Sequence, residues 1–299
     1  MQNTRLSLLA FATLLLIAFM MGANHVAARL AFNSGLDVAT AVTSRSLVTA
    51  CVVMALVMSA GVPRQIHARQ ARGMLAVGLL IGLQSQCLYS AVARLPVALA
   101  LLAFNTYPLW TALWDGLFYR HRPERSTLIA MPIILLGLAL ALDVSGAASG
   151  LDASAHWTLI GQGVLFALAA AAAFGLALVL VQHETVGVDG RVRTASTMLL
   201  AGVMAMAVMA LQGGPHWPQS EVGWWGLAAL TFLYGTAFTI MFTVLPRLGV
   251  AGNSAIMNVE PVFALVLAWP ILGQAIALVQ LAGALIVVGA VVWLGTRKG

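Results

Sequence analysis

Charge is what this sequence has least of. Only 8% of its 299 residues are Asp, Glu, Lys or Arg, where a soluble domain carries about 25%. So little charge excludes an ordinary water-soluble surface. Cysteine occurs twice, at Cys51 and Cys87, both inside apolar runs. Two isolated thiols supply neither a disulfide framework nor the spacing of a metal site, and they read as small packing residues. The motifs of membrane-embedded catalysis are missing as well. There is no His-Glu-x-x-His, no serine nucleophile of the Gly-x-Ser-x-Gly kind, no pair of membrane aspartates and no Asp-rich diphosphate motif. The loops are too short to hold a soluble catalytic domain. An intramembrane enzyme is the alternative of a different class, and these absences weigh against it. Nothing points to a cofactor or a metal.

What the chain has is apolar surface: 61% hydrophobic residues and a mean hydropathy of +0.96. A helix crosses a bilayer with about 20 mostly apolar residues. Ten stretches fit, at roughly 6–28, 38–60, 73–93, 97–118, 126–144, 157–181, 195–212, 222–244, 250–272 and 275–295. Strands would show polar–apolar alternation over about ten residues, which is absent. The expectation is an all-α polytopic membrane protein with ten transmembrane helices.

The net charge is +6 and the pI near 10.2, but the cations are not arranged for nucleic acid. Counting ends and loops alternately, one set holds Arg5, Arg64, Arg69, Arg72, Arg120, Arg122, Arg125, Arg191, Arg193, Arg247, Arg297 and Lys298. The other holds only Arg29 and Arg94, and Arg45 falls within the second apolar stretch. Cytoplasmic loops carry the excess of Lys and Arg. Both termini are therefore expected in the cytoplasm, and the partner implied is a lipid bilayer. Trp157, Trp217, Trp224, Trp225, Trp269 and Trp293 fall near span ends, where interfacial Trp is ordinary.

The sequence repeats itself. ARLPVALALLAFNTYP at 93–108 aligns with PRLGVAGNSAIMNVEP at 246–261, an offset of 153 residues. The offset pairs Arg94 with Arg247, Asn105 with Asn258 and Pro108 with Pro261. It also pairs Gly22 with Gly175 and Val26 with Val179, which makes the first apolar run a lasting part of the fold rather than a signal peptide. The halves are expected at 1–150 and 151–299, five spans each. Five is odd, so the second half would enter the membrane from the opposite side. Inverted repeats of this kind are a plan of secondary transporters, with sites near the midplane where the repeats meet.

With Leu88–Tyr89, ARLPVALA and NTYPLWTAL in one half and PRLGVAGNSAIMNVEPVFALVLAWPILGQ in the other, the chain resembles the drug/metabolite transporter superfamily, EamA type. Within it the chain is most similar to the YddG-type aromatic amino acid exporters. The resemblance covers nearly the whole chain. It implies ten helices, a central cavity and export of small metabolites across a bacterial inner membrane. Where that pattern often has Glu after the ninth span, this chain has Gln274, and after the fourth it has Asp115-Gly116.

Candidate site residues follow from cost. Glu260 lies in an apolar run, where an acid costs roughly 2.5–3.5 kcal/mol. It is expected to bind a substrate ammonium or carry a proton, or else to form a structural bridge, with Arg45 as its charge partner unless that arginine braces its own half. Pro108 and Pro261 are expected as helix breaks or hinges that free the carbonyls of Phe104 and Met257. Asn105 and Asn258 sit where they could brace those turns or touch substrate. Residues 258 and 260 lie about 200° apart on an ideal helix, so both face one cavity only if the helix is distorted. Asn24 and His25 lie in the first span, where His25 is expected to carry protons or touch substrate, or else to pack at an interface. Gln84, Gln86 and Tyr89 are polar groups that lipid disfavours, and they are expected to point inward. Two aromatic stripes at helical spacing, Tyr107, Trp110 and Trp114, and Tyr234, Phe238 and Phe242, are either helix packing or cavity walls.

The function expected is export, by alternating access, of small amphipathic metabolites, foremost aromatic amino acids and also aromatic cations. Export of other metabolites or drugs coupled to proton antiport is the alternative. The chain would work as a monomer or homodimer.

Overall fold

The computed structural model describes residues 8–61, 66–121, 125–143, 153–244, 259–274 and 277–296. Asn258, Arg247 and the side chain of Phe242 lie outside them. The described residues form eleven helices: α1 (Leu8–Asn33), α2 (Val38–Ser59), α3 (Ala68–Arg94), α4 (Val97–Phe104), α5 (Tyr107–Tyr119), α6 (Arg125–Ala141), α7 (Ala153–Glu184), α8 (Gly190–Leu211), α9 (Glu221–Thr243), α10 (Glu260–Leu272) and α11 (Leu278–Thr296).

Seven segments are long and apolar enough to cross a membrane, taking α4 and α5 together as Val97–Tyr119. Leu128–Ala141, Glu260–Leu272 and Leu278–Trp293 are shorter apolar helices. A 13-residue helix such as α10 spans about 20 Å at 1.5 Å per residue, less than the roughly 30 Å hydrocarbon core. Large apolar side chains cover the outside, among them Leu165, Phe232, Trp225 and Trp269. That surface suits lipid.

The helices start and stop for local reasons. Asp37 caps α2 by accepting from Thr40 N, and Asp189 caps α8 by accepting from Arg191 N. Ser220 does the same for α9 through Gly223 N. An N-terminal oxygen satisfies an amide that has no partner within the helix. α3 ends because Pro96 forces Leu95 out of helical geometry (φ −105°, ψ 159°). Arg29 then ties down the frayed end, donating to Val92 O at 2.7 Å and Leu95 O at 3.4 Å.

The expected fourth span is not one kinked helix. It breaks at Asn105-Thr106 into α4 and α5. Pro108 lies in the first turn of α5 and Pro261 in the first turn of α10. Neither sits in a helix interior, where the sequence suggests them. In a first turn the missing N–H is one that would go unbonded anyway.

The repeat reappears in the coordinates. The first residues of α5 and α10, Tyr107 and Glu260, are 153 residues apart. So are Ala68 and Glu221, which open α3 and α9, and Arg125 and Leu278, which open α6 and α11. Even the ends match: Arg120 after α5 and Gly273 after α10 both take left-handed backbone, at φ 58° and 64°.

Repeat mates run antiparallel. Leu47 of α2 meets Gly202 of α8, while Val57, further along α2, clusters with Val192, nearer the start of α8. On the mates α6 and α11, Gly137 meets Ile286 and Val287, and Gly283 meets Ala141.

Each half lends its first helix to the other. α1 packs on α9 and α10, and α7 packs on α3 and α5. Two glycines make the closest approaches. A Cβ on Gly22 would lie 3.0 Å from Ala264 N and from Glu260 O. One on Gly175 would lie 2.8 Å from Thr111 N and 2.9 Å from Trp110 Cβ. Gly22 and Gly175 are repeat mates, as are Ala264 and Thr111, so the same backbone contact is built twice.

Candidate functional site

The close approach at Gly22 sets the site. His25 lies one turn further along the same face of α1, so it arrives beside the start of α10. His25 Nε2 lies 3.2 Å from Glu260 Oε1. His25 is 3% exposed and the Glu260 side chain 18%. Glu260 occupies the first turn of α10, where the helix dipole favours negative charge. The pair crosses between the halves. Its mate positions are Leu178 and Tyr107, so this contact is built in one copy only.

Arg45 does not pair with Glu260. It lies between two aromatic rings, its guanidinium carbon 4.2 Å from the Tyr89 centroid and 3.9 Å from that of Tyr234. It is 3% exposed, and no carboxylate lies within 4.0 Å of it among the described residues. Two desolvated cation–π contacts are worth about 2 kcal/mol or more each, which offsets the roughly 2.5–3.5 kcal/mol cost of a cation at this depth. The sequence pattern pointed to an acid because charge alone is legible there. The ring of Tyr234 arrives from α9 and takes the place an acid would have had.

Tyr89 joins the two charged groups. Its hydroxyl donates to Asn24 Oδ1 at 2.9 Å, and its ring meets His25 edge-on at 5.6 Å. Asn24 Nδ2, His25 Nδ1, Arg45 Nε and Ser46 Oγ are buried without a hydrogen-bond partner among the described residues. A buried polar atom left unbonded costs about 1–3 kcal/mol. Three of them belong to residues that meet around Tyr89, on α1 and α2, and suit a centre that takes up water or a polar ligand.

Comparison with known proteins agrees with this architecture. The profile of the EamA-like transporter family matches residues 8–142 and again residues 161–296. The chain belongs to the EamA-like transporter family. It is a multi-span helical membrane protein of a family that transports small solutes. A solved structure described only as "Crystal structure of protein" aligns over 96% of this chain and 99% of its own, with 20% identity and a TM-score of 0.59. At that identity the likeness speaks for the fold alone. No curated protein matches the chain.

The remaining residues singled out in this EamA-like sequence divide between centre and periphery. Phe238 joins the centre through Tyr234, ring to ring at 4.5 Å. Gln84 is buried beside Ser85, which donates to its Oε1 at 3.4 Å, and Gln86 Nε2 is buried and unbonded among the described residues. Asn105 turns to its own helix: Nδ2 donates to Leu101 O at 2.8 Å. It braces the end of α4, at a different carbonyl from the Phe104 one expected. Tyr107 packs on Phe104 and Phe174 at 5.7 and 5.1 Å. Trp110 stacks on Trp114, whose Nε1 donates to Ala172 O. That stripe faces α7.

Sequence reasoning passed over three features of this transporter. Met198 is buried and its sulfur accepts from the Tyr234 hydroxyl at 3.5 Å. Gln274 Oε1 accepts from Val97 N at 3.0 Å, so the residue standing where the family pattern often has Glu caps α4 from the end of α10. Asp115 gathers His121 and His183 around it. Little local signal marks them: His121 is six residues from Asp115, but the other partners come from distant parts of the chain.

Proposed function

We propose that this EamA-like transporter exports small amphipathic metabolites, aromatic amino acids foremost and aromatic cations beside them, by alternating access. One observation carries the reading. A buried arginine with no carboxylate partner among the described residues is linked through the Tyr89 and His25 rings to the part-exposed carboxylate of Glu260. A zwitterion fits such a pair of poles: its carboxylate would meet Arg45, and its ammonium would meet Glu260. Tyr89, Tyr234 and Phe238 would receive an aromatic side chain, and the unbonded donors of Asn24 and Arg45 would be satisfied on binding. Antiparallel repeat mates support an inverted five-plus-five arrangement, which lets two related halves rock about one site. The charge bias of the loops supports cytoplasmic termini in a bacterial inner membrane.

The test is flux through the purified protein in liposomes loaded with labelled tryptophan, tyrosine or phenylalanine. Saturable efflux that Arg45→Ala abolishes supports the reading. Protein-dependent flux of none of these, nor of an aromatic cation, ends it.

The His25–Glu260 contact favours a second reading of the coupling, proton antiport. A histidine–carboxylate pair can gain and release a proton between its partners, and an ammonium at Glu260 would displace it. Flux that follows an imposed pH gradient in the native chain and ignores it in Glu260→Gln supports coupling. Flux indifferent to the gradient in both leaves a uniporter.

A further inference from the structure

Away from the buried centre, where α5 stops and α7 ends, three metal-ligating side chains converge. Asp115 stands on α5, His121 just beyond its end and His183 one residue before the end of α7. Asp115 Oδ2 lies 3.0 Å from His121 Nδ1, and Oδ1 lies 3.0 Å from His183 Nε2. One ligand atom from each residue lies within 4.8 Å of the others. A tetrahedral zinc site with bonds of about 2.0–2.2 Å sets its ligand atoms about 3.3–3.6 Å apart. The three side chains thus stand within a small shift of a coordination sphere.

The surroundings hold them there. Arg120 takes left-handed backbone and turns the chain so that His121 returns over α5. Gly116 leaves room for the return, since a Cβ there would lie 3.3 Å from His121 O. Tyr119 stacks on the His183 ring at 3.8 Å and 15°. Its hydroxyl donates to Glu184 Oε1 at 2.9 Å, and Arg69 grips the same carboxylate with two bonds of 2.8 and 3.1 Å. Glu184 is therefore occupied, while it fixes the tyrosine that orients His183. Outer groups that orient imidazole ligands in this way are a usual part of metal sites.

We propose that Asp115, His121 and His183 bind a divalent transition-metal ion of the zinc type, with water completing its coordination. Two imidazoles and one carboxylate select Zn²⁺, Co²⁺, Ni²⁺ or Cu²⁺ over the hard ions Mg²⁺ and Ca²⁺. His121 is 61% exposed, so an ion can enter from water. Because α5 belongs to the first half and α7 to the second, the ion would tie the halves together at this end.

The test uses the full chain in detergent with any affinity tag removed. Zn²⁺ is titrated by calorimetry and Co²⁺ by visible absorption. Expected are one ion per chain, a higher melting temperature with Zn²⁺, cobalt bands of a mixed nitrogen–oxygen site, and no response to Mg²⁺. His121→Ala and Asp115→Asn should each weaken binding by about tenfold or more, and His67→Ala, an exposed histidine elsewhere, should leave it intact. His121 lies beyond α5, so its variant carries the test if Asp115→Asn fails to fold. Absence of stoichiometric binding, or equal affinity in His121→Ala and the native chain, overturns the proposal and leaves a hydrogen-bonded His–Asp–His cluster. Neither result bears on the flux measurements.

Discussion

His25 and Glu260 hold each other across the two repeats, Nε2 to Oε1 at 3.2 Å. The contact exists because Gly22 lets α1 touch the backbone of α10 one turn earlier. Glu260→Gln keeps the shape and leaves an oxygen for the imidazole, but it removes the charge. Efflux of an aromatic amino acid should fall about tenfold, equivalent to about 1.4 kcal/mol, with little change in melting temperature. Liposome flux beside a thermal melt checks this; a parallel loss of fold would make the pair structural.

Arg45 tests the opposite pole. Lysine lacks the planar fork that lies flat between two rings and meets a carboxylate with two bonds. Arg45→Lys should lower flux of an aromatic amino acid about tenfold, roughly 1.4 kcal/mol, and spare the corresponding decarboxylated amine. Competition between acid and amine in one liposome preparation reads the difference. Equal loss for both would remove the carboxylate from the role assigned to Arg45.

The mated glycines predict mated consequences. A side chain at Gly22 or Gly175 meets backbone atoms at 3.0 or 2.8 Å, which cannot yield as a flexible side chain would. Gly22→Val and Gly175→Val should each destabilise by about 1–3 kcal/mol, the usual cost of overpacking. Only the first should also disturb the His25–Glu260 contact. Melts of both variants, with flux measured below the melting temperature, separate the two effects.

The repeat was legible in the sequence because identical residues recur at one offset, Arg94 and Arg247, Pro108 and Pro261, and the two prolines open α5 and α10 alike. The break of the fourth span was not. VALALLAF reads as uninterrupted helix, and the stop depends on Asn105 and Thr106 bonding back to Leu101 and Ala103. Polar residues of the centre were legible by their cost in lipid, but their partners were not. Arg45 looked like the mate of Glu260 until α9 delivered Tyr234. Likewise Asp115 and His183 are 68 residues apart, and no local pattern marks them as neighbours.

Gln274 offers a check on the cap of α4. Its side chain supplies the acceptor that Pro96, at the N-cap, lacks. Gln274→Ala should cost about 1 kcal/mol, as lost caps do. Gln274→Glu should recover it, since a carboxylate also accepts the Val97 amide and suits a helix N-terminus. Chemical or thermal denaturation of the pair in detergent gives the ordering, and Glu no better than Ala would refute it.

The exchange of first helices also fixes an order of assembly. α1 leaves the ribosome before α2 to α8, and α9 and α10, on which it rests, follow them. Asn24 can reach its partner Tyr89 as soon as α3 is made, but His25 finds Glu260 only once α10 is in place. Final closure therefore waits for α9 and α10, and a chain stalled before α9 would seat its α1 only against α3 and α4.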